Sequence, residues 1–168
     1  MLGLPKNEVY LVDWTEDWCK EFLWEKERIQ DKIGNYVVDI HHIGSTAVKG
    51  LKAKPIIDIA VEIEEYNNGI YCVNPLRDLG YSYGGVNVLP ERHYFYKGEP
   101  RTHQIHMYQT GNEYLREQLK FINYLRKNDH ARKEYQELKM LLARENKYNK
   151  HKYADKKTEF IQSILSRI

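Results

Sequence analysis

Apolar residues recur at helical spacing near both ends of this chain. Residues 14–33 carry one such stripe, which predicts an amphipathic helix with its apolar side in the core. Asp13 precedes this segment and Glu16 follows three residues later, the arrangement of a capping box. From about 112 to 168, three further stripes predict a basic, helical C-terminal portion, and we expect Asp155 to cap its last helix.

Between these helical regions, polar and apolar side chains alternate with the period of two that is typical of β-strands. The predicted strands are residues 9–12, 36–43, 55–63, 81–89, 92–97 and 101–109. A helix is expected within 66–79, and the last two strands form a hairpin around Gly98. The pattern therefore predicts a single α+β domain over residues 1–168, with a mixed or antiparallel sheet and helices packed on one face.

Alternation also assigns the side chains of the central strands to two faces of the sheet. Ile57 and Ile59 point to one face, where helices should cover them, and Asp58 points to the other. In the hairpin, the apolar pair of Ile105 and Met107 marks the core face, which leaves Gln104 and His106 on the face of Asp58 if the strands are neighbours. A carboxylate in mid-strand must be paired, protonated or bound to a metal; the nearest candidates for an ion pair are Lys52 and Lys54.

The segment HIGSTAVKGLKAKPIIDI places a polar turn directly before this acid. Gly44, Ser45 and Thr46 offer backbone N–H groups, two hydroxyls and a glycine that lets a phosphate approach closely. Lys54 lies between the turn and Asp58 and can neutralise a bound phosphate. This spacing favours a site in which the turn holds phosphates and the neighbouring carboxylate holds a Mg²⁺ or Mn²⁺ ion that bridges them.

Composition excludes several classes of protein. Apolar residues make up 42% and charged residues 30% of the 168 positions, which is typical of a folded soluble domain. No apolar run reaches the roughly 20 residues that a membrane-spanning helix needs, and the N-terminus does not resemble a secretory signal. Cys19 and Cys72 lack metal-type spacing, so we expect two reduced thiols in a cytoplasmic protein.

The charge is unevenly distributed along the chain. Residues 101–168 contain 15 Lys and Arg against 8 Asp and Glu, whereas residues 1–100 contain 11 against 16. A basic C-terminal half indicates either a polyanionic ligand or simply solvated helix faces. If the polyanion is RNA, the candidate surface consists of Arg116, Lys120, Arg126, Lys127, Arg132 and Lys133.

The segment HIGSTAVKGLKAKPIIDI closely resembles the defining segment of the GrpB-like proteins, HIGSTAVPGL-A-KPIIDI. The resemblance continues through RTHQIH at 101–106, YLR at 124–126, YQELK at 135–139 and KTEFI at 157–161. It covers nearly the whole chain, which is thereby identified as a member of that family. The resemblance implies a nucleotidyltransferase-like fold. In it, Gly44 and Ser45 form the Gly-Ser turn of that superfamily and Asp58 is its first metal-binding carboxylate.

Several positions depart from the pattern that the resemblance implies. Active members of the superfamily carry a second acid two residues after the first, where this chain has Ala60. A third acid on a neighbouring strand is replaced by Gln104 or His106, and Lys49 stands where the family usually has proline. Two-metal phosphoryl transfer needs several carboxylates, so these departures leave catalysis in doubt.

Together these observations predict the following site. Asp58 and His106 are expected to be catalytic and to bind a Mg²⁺ or Mn²⁺ ion. Phosphate or nucleotide binding is assigned to Gly44, Ser45, Thr46, Lys54, Arg101 and His103. The resemblance implies a nucleotide or a coenzyme-A-like ligand, because GrpB-like domains are fused to dephospho-CoA kinase in some bacteria. Three functions remain open: a nucleotidyl or phosphoryl transferase, a binding module that has lost catalysis, and an RNA-binding accessory protein.

Overall fold

The computed structural model describes residues 2–86 and 91–168 of the chain. Its α-helices are α1 (Asp17–Ile33), α2 (Val73–Arg77), α3 (Glu113–Lys127), α4 (Asp129–Glu145) and α5 (Lys150–Leu165). Its strands are β1 (Val37–Ile43), β2 (Ile57–Ile63), β3 (Ser82–Gly85), β4 (Arg92–Lys97) and β5 (His103–Gln109). None of the described helices combines the length and the apolar character that crossing a membrane requires.

The strands form one mixed sheet in the order β1-β2-β5-β4-β3. β2 and β5 run parallel, whereas the other neighbouring pairs are antiparallel. The α+β class and the β4–β5 hairpin are therefore confirmed. The register of the parallel pair sets Asp58 beside Gln104 and Ala60 beside His106, so these four residues share one face, as alternation predicts.

Helices cover both faces of the sheet, and not one face as the sequence pattern predicts. On one face α1 and α2 pack on the predicted core side chains, including Ile57, Ile59 and Met107. On the opposite face the helices of the C-terminal portion, α3, α4 and α5, pack against Ala60 and Tyr108. The face that carries Asp58 is thus enclosed by the basic part of the chain, and a site there lies between sheet and helices.

Several predicted element boundaries are wrong. Residues 9–12 form only an isolated bridge between Val12 and Ala53. In contrast, the helix expected within 66–79 is confirmed: it is the short helix α2, which a 3₁₀ segment over residues 66–72 precedes. Of the strand predicted over 81–89, the structure has β3, whereas residues 87–89 lie outside the described residues.

The two predicted helix caps, Asp13 and Asp155, are wrong, because the helices begin at other residues. α1 begins at Asp17, and Asp13 instead forms an ion pair with Lys52 at 2.5 Å. α5 begins before Asp155, because the side chain of Asn149 accepts a hydrogen bond from the backbone N–H of Lys152 and caps the helix there.

Candidate functional site

Asp58 lies near the start of β2, between the end of β1 and the start of β5. Its side chain is 26% exposed. Its Oδ1 atom accepts two hydrogen bonds, from Nε2 of Gln104 at 2.9 Å and from Nε2 of His106 at 3.0 Å. Strand alternation predicts that these three side chains share one face of the sheet, and the structure confirms that they do and that they are in contact.

The other ring nitrogen of His106 fixes its tautomer. Arg92 donates a hydrogen bond to Nδ1 of His106 at 2.8 Å, and a guanidinium can only donate. Nδ1 is therefore unprotonated and Nε2 carries the hydrogen that it donates to Asp58. Both nitrogens of His106 are engaged, so neither presents a lone pair to a metal ion.

A second chain of hydrogen bonds leads from Asp58 to Arg101. Arg101 donates to the hydroxyl of Tyr94 at 3.1 Å, and that hydroxyl donates in turn to Oε1 of Gln104. The guanidinium of Arg101 also lies 4.3 Å from the ring centroid of Tyr96. Arg101, predicted to bind phosphate, thus lies at the edge of the cluster and is linked to Asp58 through two side chains.

Gly44 directly follows β1 and lies beside the carboxylate of Asp58. Its φ of 73° and ψ of −178° are conformations that only glycine adopts readily. A Cβ atom at this position would lie 2.9 Å from Oδ2 of Asp58 and 3.3 Å from its Cβ. Glycine is therefore required twice, by the backbone conformation and by the close approach of Asp58.

The two hydroxyl residues of the turn differ in their surroundings. Thr46 is buried, and its Oγ1 atom lies 2.9 Å from Nε2 of His42. Burial lowers the pKa of His42 to about 4, so this imidazole is neutral at physiological pH. Thr46 therefore has an internal partner, whereas Ser45 is partly exposed and lines the cavity described next.

A cavity of about 360 Å³ lies over Asp58, between the sheet face and helices α3, α4 and α5. Its apolar wall includes Phe121, Ile122 and Ile161. Its polar lining comprises Gly44, Ser45, Thr46, Lys54, Asp58, Gln104, His106, Glu117, Gln118, Lys139, Lys157, Thr158 and Gln162. Four predicted ligand-binding residues, Gly44, Ser45, Thr46 and Lys54, are thus brought to one cavity with Asp58 and His106.

Three lysines from separate parts of the chain line this cavity. Lys139 of α4 is 1% exposed, and its Nζ donates to the backbone carbonyl of Lys52 at 2.6 Å. The Nζ atoms of Lys54 and Lys157 lie 5.3 and 5.2 Å from the ring centroid of Tyr153, so both flank the same ring. In the part of the chain that the structure describes, no carboxylate oxygen lies within 4.0 Å of these three amino groups.

The positive charges act on each other and on Asp58. Burial lowers the pKa of Lys157 to about 7, and the charge of Lys54 adds to this effect. Burial and repulsion from Lys157 and Lys54 hold the pKa of Lys139 well below its ordinary value. Burial alone would raise the pKa of Asp58, but the hydrogen bond from His106 and the nearby lysine charges lower it, so Asp58 is ionised.

Sequence reasoning missed Lys139 and Lys157 as site residues, although both lie in the motifs that carry the family resemblance. Lys139 follows the buried Tyr135 by four positions and precedes the buried Leu142 by three. Lys157 follows the buried Tyr153 by four positions in the same way. The sequence signal for these two site residues was therefore a lysine that falls on the apolar stripe of a predicted helix.

The structure does not bring His103 to this cluster. His103 precedes Gln104 on β5, so its side chain points to the opposite face of the sheet, under α1. There its Nε2 atom lies 3.0 Å from Oε1 of Glu21. The same face holds Glu25, which is fully buried, receives a hydrogen bond from Tyr81 at 2.8 Å and forms an ion pair with Lys97. His103 thus belongs to a buried polar network that joins α1 to the sheet.

The basic residues proposed as an RNA surface are largely engaged within the chain. Arg126 donates two hydrogen bonds to the carbonyl of Ala47, at 3.2 and 2.8 Å, and so ties α3 to the turn at the cavity. Three other candidates also have partners: Arg116 contacts Glu113, Lys120 contacts the carbonyl of Ile168, and Arg132 contacts both Asp129 and the carbonyl of Leu125. Four of the six candidates therefore have internal partners.

The donor set around Asp58 does not fit a divalent cation held by the protein. Mg²⁺ prefers an octahedron of oxygens, whereas Asp58 has Oδ1 engaged twice and His106 has no free lone pair. One group of acidic and histidine side chains in the described residues brings three potential ligand atoms within 4.8 Å of one another. It consists of Asp39, His41 and Glu62, at the other end of β2 from Asp58.

Comparison with known proteins gives a consistent picture. The family model described as "GrpB protein" matches residues 8–167. The chain is 34% identical to the "Glutamate-rich protein GrpB" of Alkalihalophilus pseudofirmus, with 100% of each covered. It is 36% identical to the "UPF0157 protein YqkA" of Bacillus subtilis over 95% of its own length but only 47% of that protein's. The crystal structure of the conserved protein GrpB from Enterococcus faecalis superposes with a TM-score of 0.86 at 31% identity, covering 94% of this chain and 98% of that one.

Proposed function

The chain belongs to the GrpB family, and from that premise we propose that it binds a nucleotide or another phosphorylated small molecule, such as a coenzyme-A-like compound, in the cavity over Asp58. The observation that carries this proposal is the set of three lysines around one cavity. Lys54, Lys139 and Lys157 face it without a carboxylate partner in the described residues, and buried charge is stable only when it is compensated. A phosphate group supplies the missing negative charge.

The composition of the cavity supports an organic phosphate over inorganic phosphate. Phe121, Ile122 and Ile161 form an apolar wall of the cavity, and such surface binds the organic part of a ligand. Oε1 of Gln118 is buried at this cavity and accepts no hydrogen bond from the described residues. It is therefore the natural acceptor for a hydroxyl or amino group of the ligand.

Transfer of a phosphoryl or nucleotidyl group is the catalytic form of this proposal. Asp58 is ionised and its Oδ2 atom faces the Gly44 turn, so it would act as the general base that takes a proton from the attacking hydroxyl. The oxygen of that hydroxyl would bond to phosphorus while the P–O bond to the leaving phosphate or pyrophosphate breaks. The lysines would stabilise the charge that develops on the phosphoryl oxygens. The alternative, a binding module without turnover, is favoured by Ala60 at the place of a second acid and by the donor set around Asp58. Mg²⁺ or Mn²⁺ remains a prediction that the following screen tests.

A thermal-shift screen tests the proposal. Nucleotides, coenzyme A, its precursors and pyrophosphate are each added with EDTA and with Mg²⁺, and unfolding is followed by fluorescence. A ligand at 100 times its Kd stabilises the native state by about 2.7 kcal/mol, which raises the Tm by about 5 to 10 °C in a protein of this size. Lys139→Met should abolish the shift, and Lys133→Met, an exposed site on the same helix, serves as the matched control. If no phosphorylated compound raises the Tm, the proposal is wrong; detection of a transferred group would identify an enzyme.

A further inference from the structure

The balance of charge around the cavity is the reverse of that in a divalent-cation site. Three lysines face it, against the two carboxylates of Asp58 and Glu117. Two-metal phosphoryl-transfer sites instead gather several carboxylates to hold the ions. A cation that enters here would meet three amino groups, each of which repels it when protonated, and it would find few free oxygen ligands.

The hydrogen bonds around Asp58 lead to the same conclusion independently. Its Oδ1 atom is occupied by N–H donors from Gln104 and His106, and His106 is fixed by Arg92 as a donor toward Asp58. Only Oδ2 of Asp58 remains for a cation, so this carboxylate offers one oxygen where an octahedral ion needs six ligands. The carboxylate is arranged to accept hydrogen bonds and to balance nearby lysines.

The lysines, in contrast, are held in place before any ligand arrives. Lys139 is fixed at the base of the cavity by its hydrogen bond to the carbonyl of Lys52, which uses one of the three donors of its ammonium group. Lys54 and Lys157 lie against the ring of Tyr153. Several N–H donors thus remain for the oxygens of a phosphate.

We infer that Lys54, Lys139 and Lys157 take the place of a divalent cation at this site, so that the phosphorylated ligand binds without Mg²⁺. The inference rests on the proposed function and specifies how the ligand's charge is neutralised. In this arrangement Asp58 is a counter-ion of the lysines, and it competes with the ligand for them.

The test is calorimetric titration of the whole protein with pyrophosphate and with ATP, each in EDTA and in excess Mg²⁺. We expect binding in EDTA that is at least as tight as in Mg²⁺. Lys157→Met should weaken binding by about 10- to 100-fold, as expected when one charge-assisted hydrogen bond is lost. Lys156→Met, which removes an exposed neighbouring charge on α5, is the matched control and should change the Kd less than threefold.

Asp58→Asn separates the two roles of the carboxylate. If Asp58 is a counter-ion, this change frees the lysines and tightens pyrophosphate binding severalfold in EDTA. Binding that requires Mg²⁺ and disappears in Asp58→Asn would overturn the inference and leave the proposed function intact. Failure of both probes to bind in either condition, together with a negative thermal-shift screen, would overturn the proposed function itself.

Discussion

Replacing Gly44 by alanine tests whether the turn at the end of β1 is shaped by Asp58. The backbone of Gly44 has φ 73° and ψ −178°, which costs about 1–3 kcal/mol for any residue with a Cβ. The new Cβ would also lie 2.9 Å from Oδ2 of Asp58, and such overpacking costs about 1–3 kcal/mol more. We therefore expect Gly44→Ala to lower the free energy of unfolding by about 2–6 kcal/mol and the Tm by about 5 to 20 °C.

Gly50→Ala is the matched control, since its φ of 83° is strained for alanine while no atom lies within 4 Å of the added Cβ. This control should cost only about 1–2 kcal/mol. Urea unfolding of both variants measures the difference. In an Asp58→Ala background, the cost of Gly44→Ala should fall, because the contact with Oδ2 is gone. The reasoning is refuted if Gly44→Ala costs no more than Gly50→Ala, or if its cost is the same with and without the Asp58 side chain.

Three further predictions concern the buried network, the cavity and the basic helices. Lys97→Met should destabilise the protein by about 3 kcal/mol in urea unfolding, because it leaves the fully buried Glu25 short of a cation. The double variant with Glu25→Gln should be more stable than Lys97→Met alone, and a lower free energy of unfolding in the double variant would contradict this. Since the pKa of Lys157 is about 7 in the folded protein and about 10.4 when unfolded, the unfolded state binds more protons between these values. The stability of the free protein should therefore rise with pH from 7 to 9, and pyrophosphate affinity should fall over the same range as the ammonium is lost. A Lys157→Met variant should flatten both profiles, and an unchanged slope would exclude Lys157 as the cause. If RNA binds the C-terminal helices, its affinity should drop steeply with salt, and Lys127→Glu with Lys133→Glu should weaken it; a flat salt response would rule this function out.

Strand periodicity correctly predicted that Asp58, Gln104 and His106 share one face of the sheet. Side chains on a strand alternate strictly between the two faces of the sheet. Because β2 and β5 are neighbours, this alternation puts Asp58, Gln104 and His106 on the same face. The same rule applied to His103 would have placed it on the opposite face, where the structure shows it with Glu21. For His103, strand alternation therefore gives the correct face of the sheet, whereas its place in the RTHQIH motif suggested a site residue.

The lysines on the helices were harder to predict. Lys139 and Lys157 reach the cavity only because α4 and α5 fold back over the sheet face, and helical periodicity alone does not say which layer a helix joins. The hydrogen bond from His106 to Asp58 is likewise a matter of tertiary placement, since Arg92 on β4 fixes the tautomer. Local patterns specify which face of an element is buried, whereas the partner across that face depends on chain topology.

The three lysines around the cavity also affect how readily α4 and α5 detach from the sheet. Its three amino groups are carried by the loop before β2, by α4 and by α5, so their mutual repulsion opposes the docking of the two helices on the sheet. A bound polyanion would cancel that repulsion and bridge the three segments. Backbone amides of α5 should therefore exchange with deuterium more slowly in pyrophosphate than in chloride at equal ionic strength, while those of α1 on the far face should not change. The concentration of phosphorylated ligand would then set how often the C-terminal helices leave the sheet.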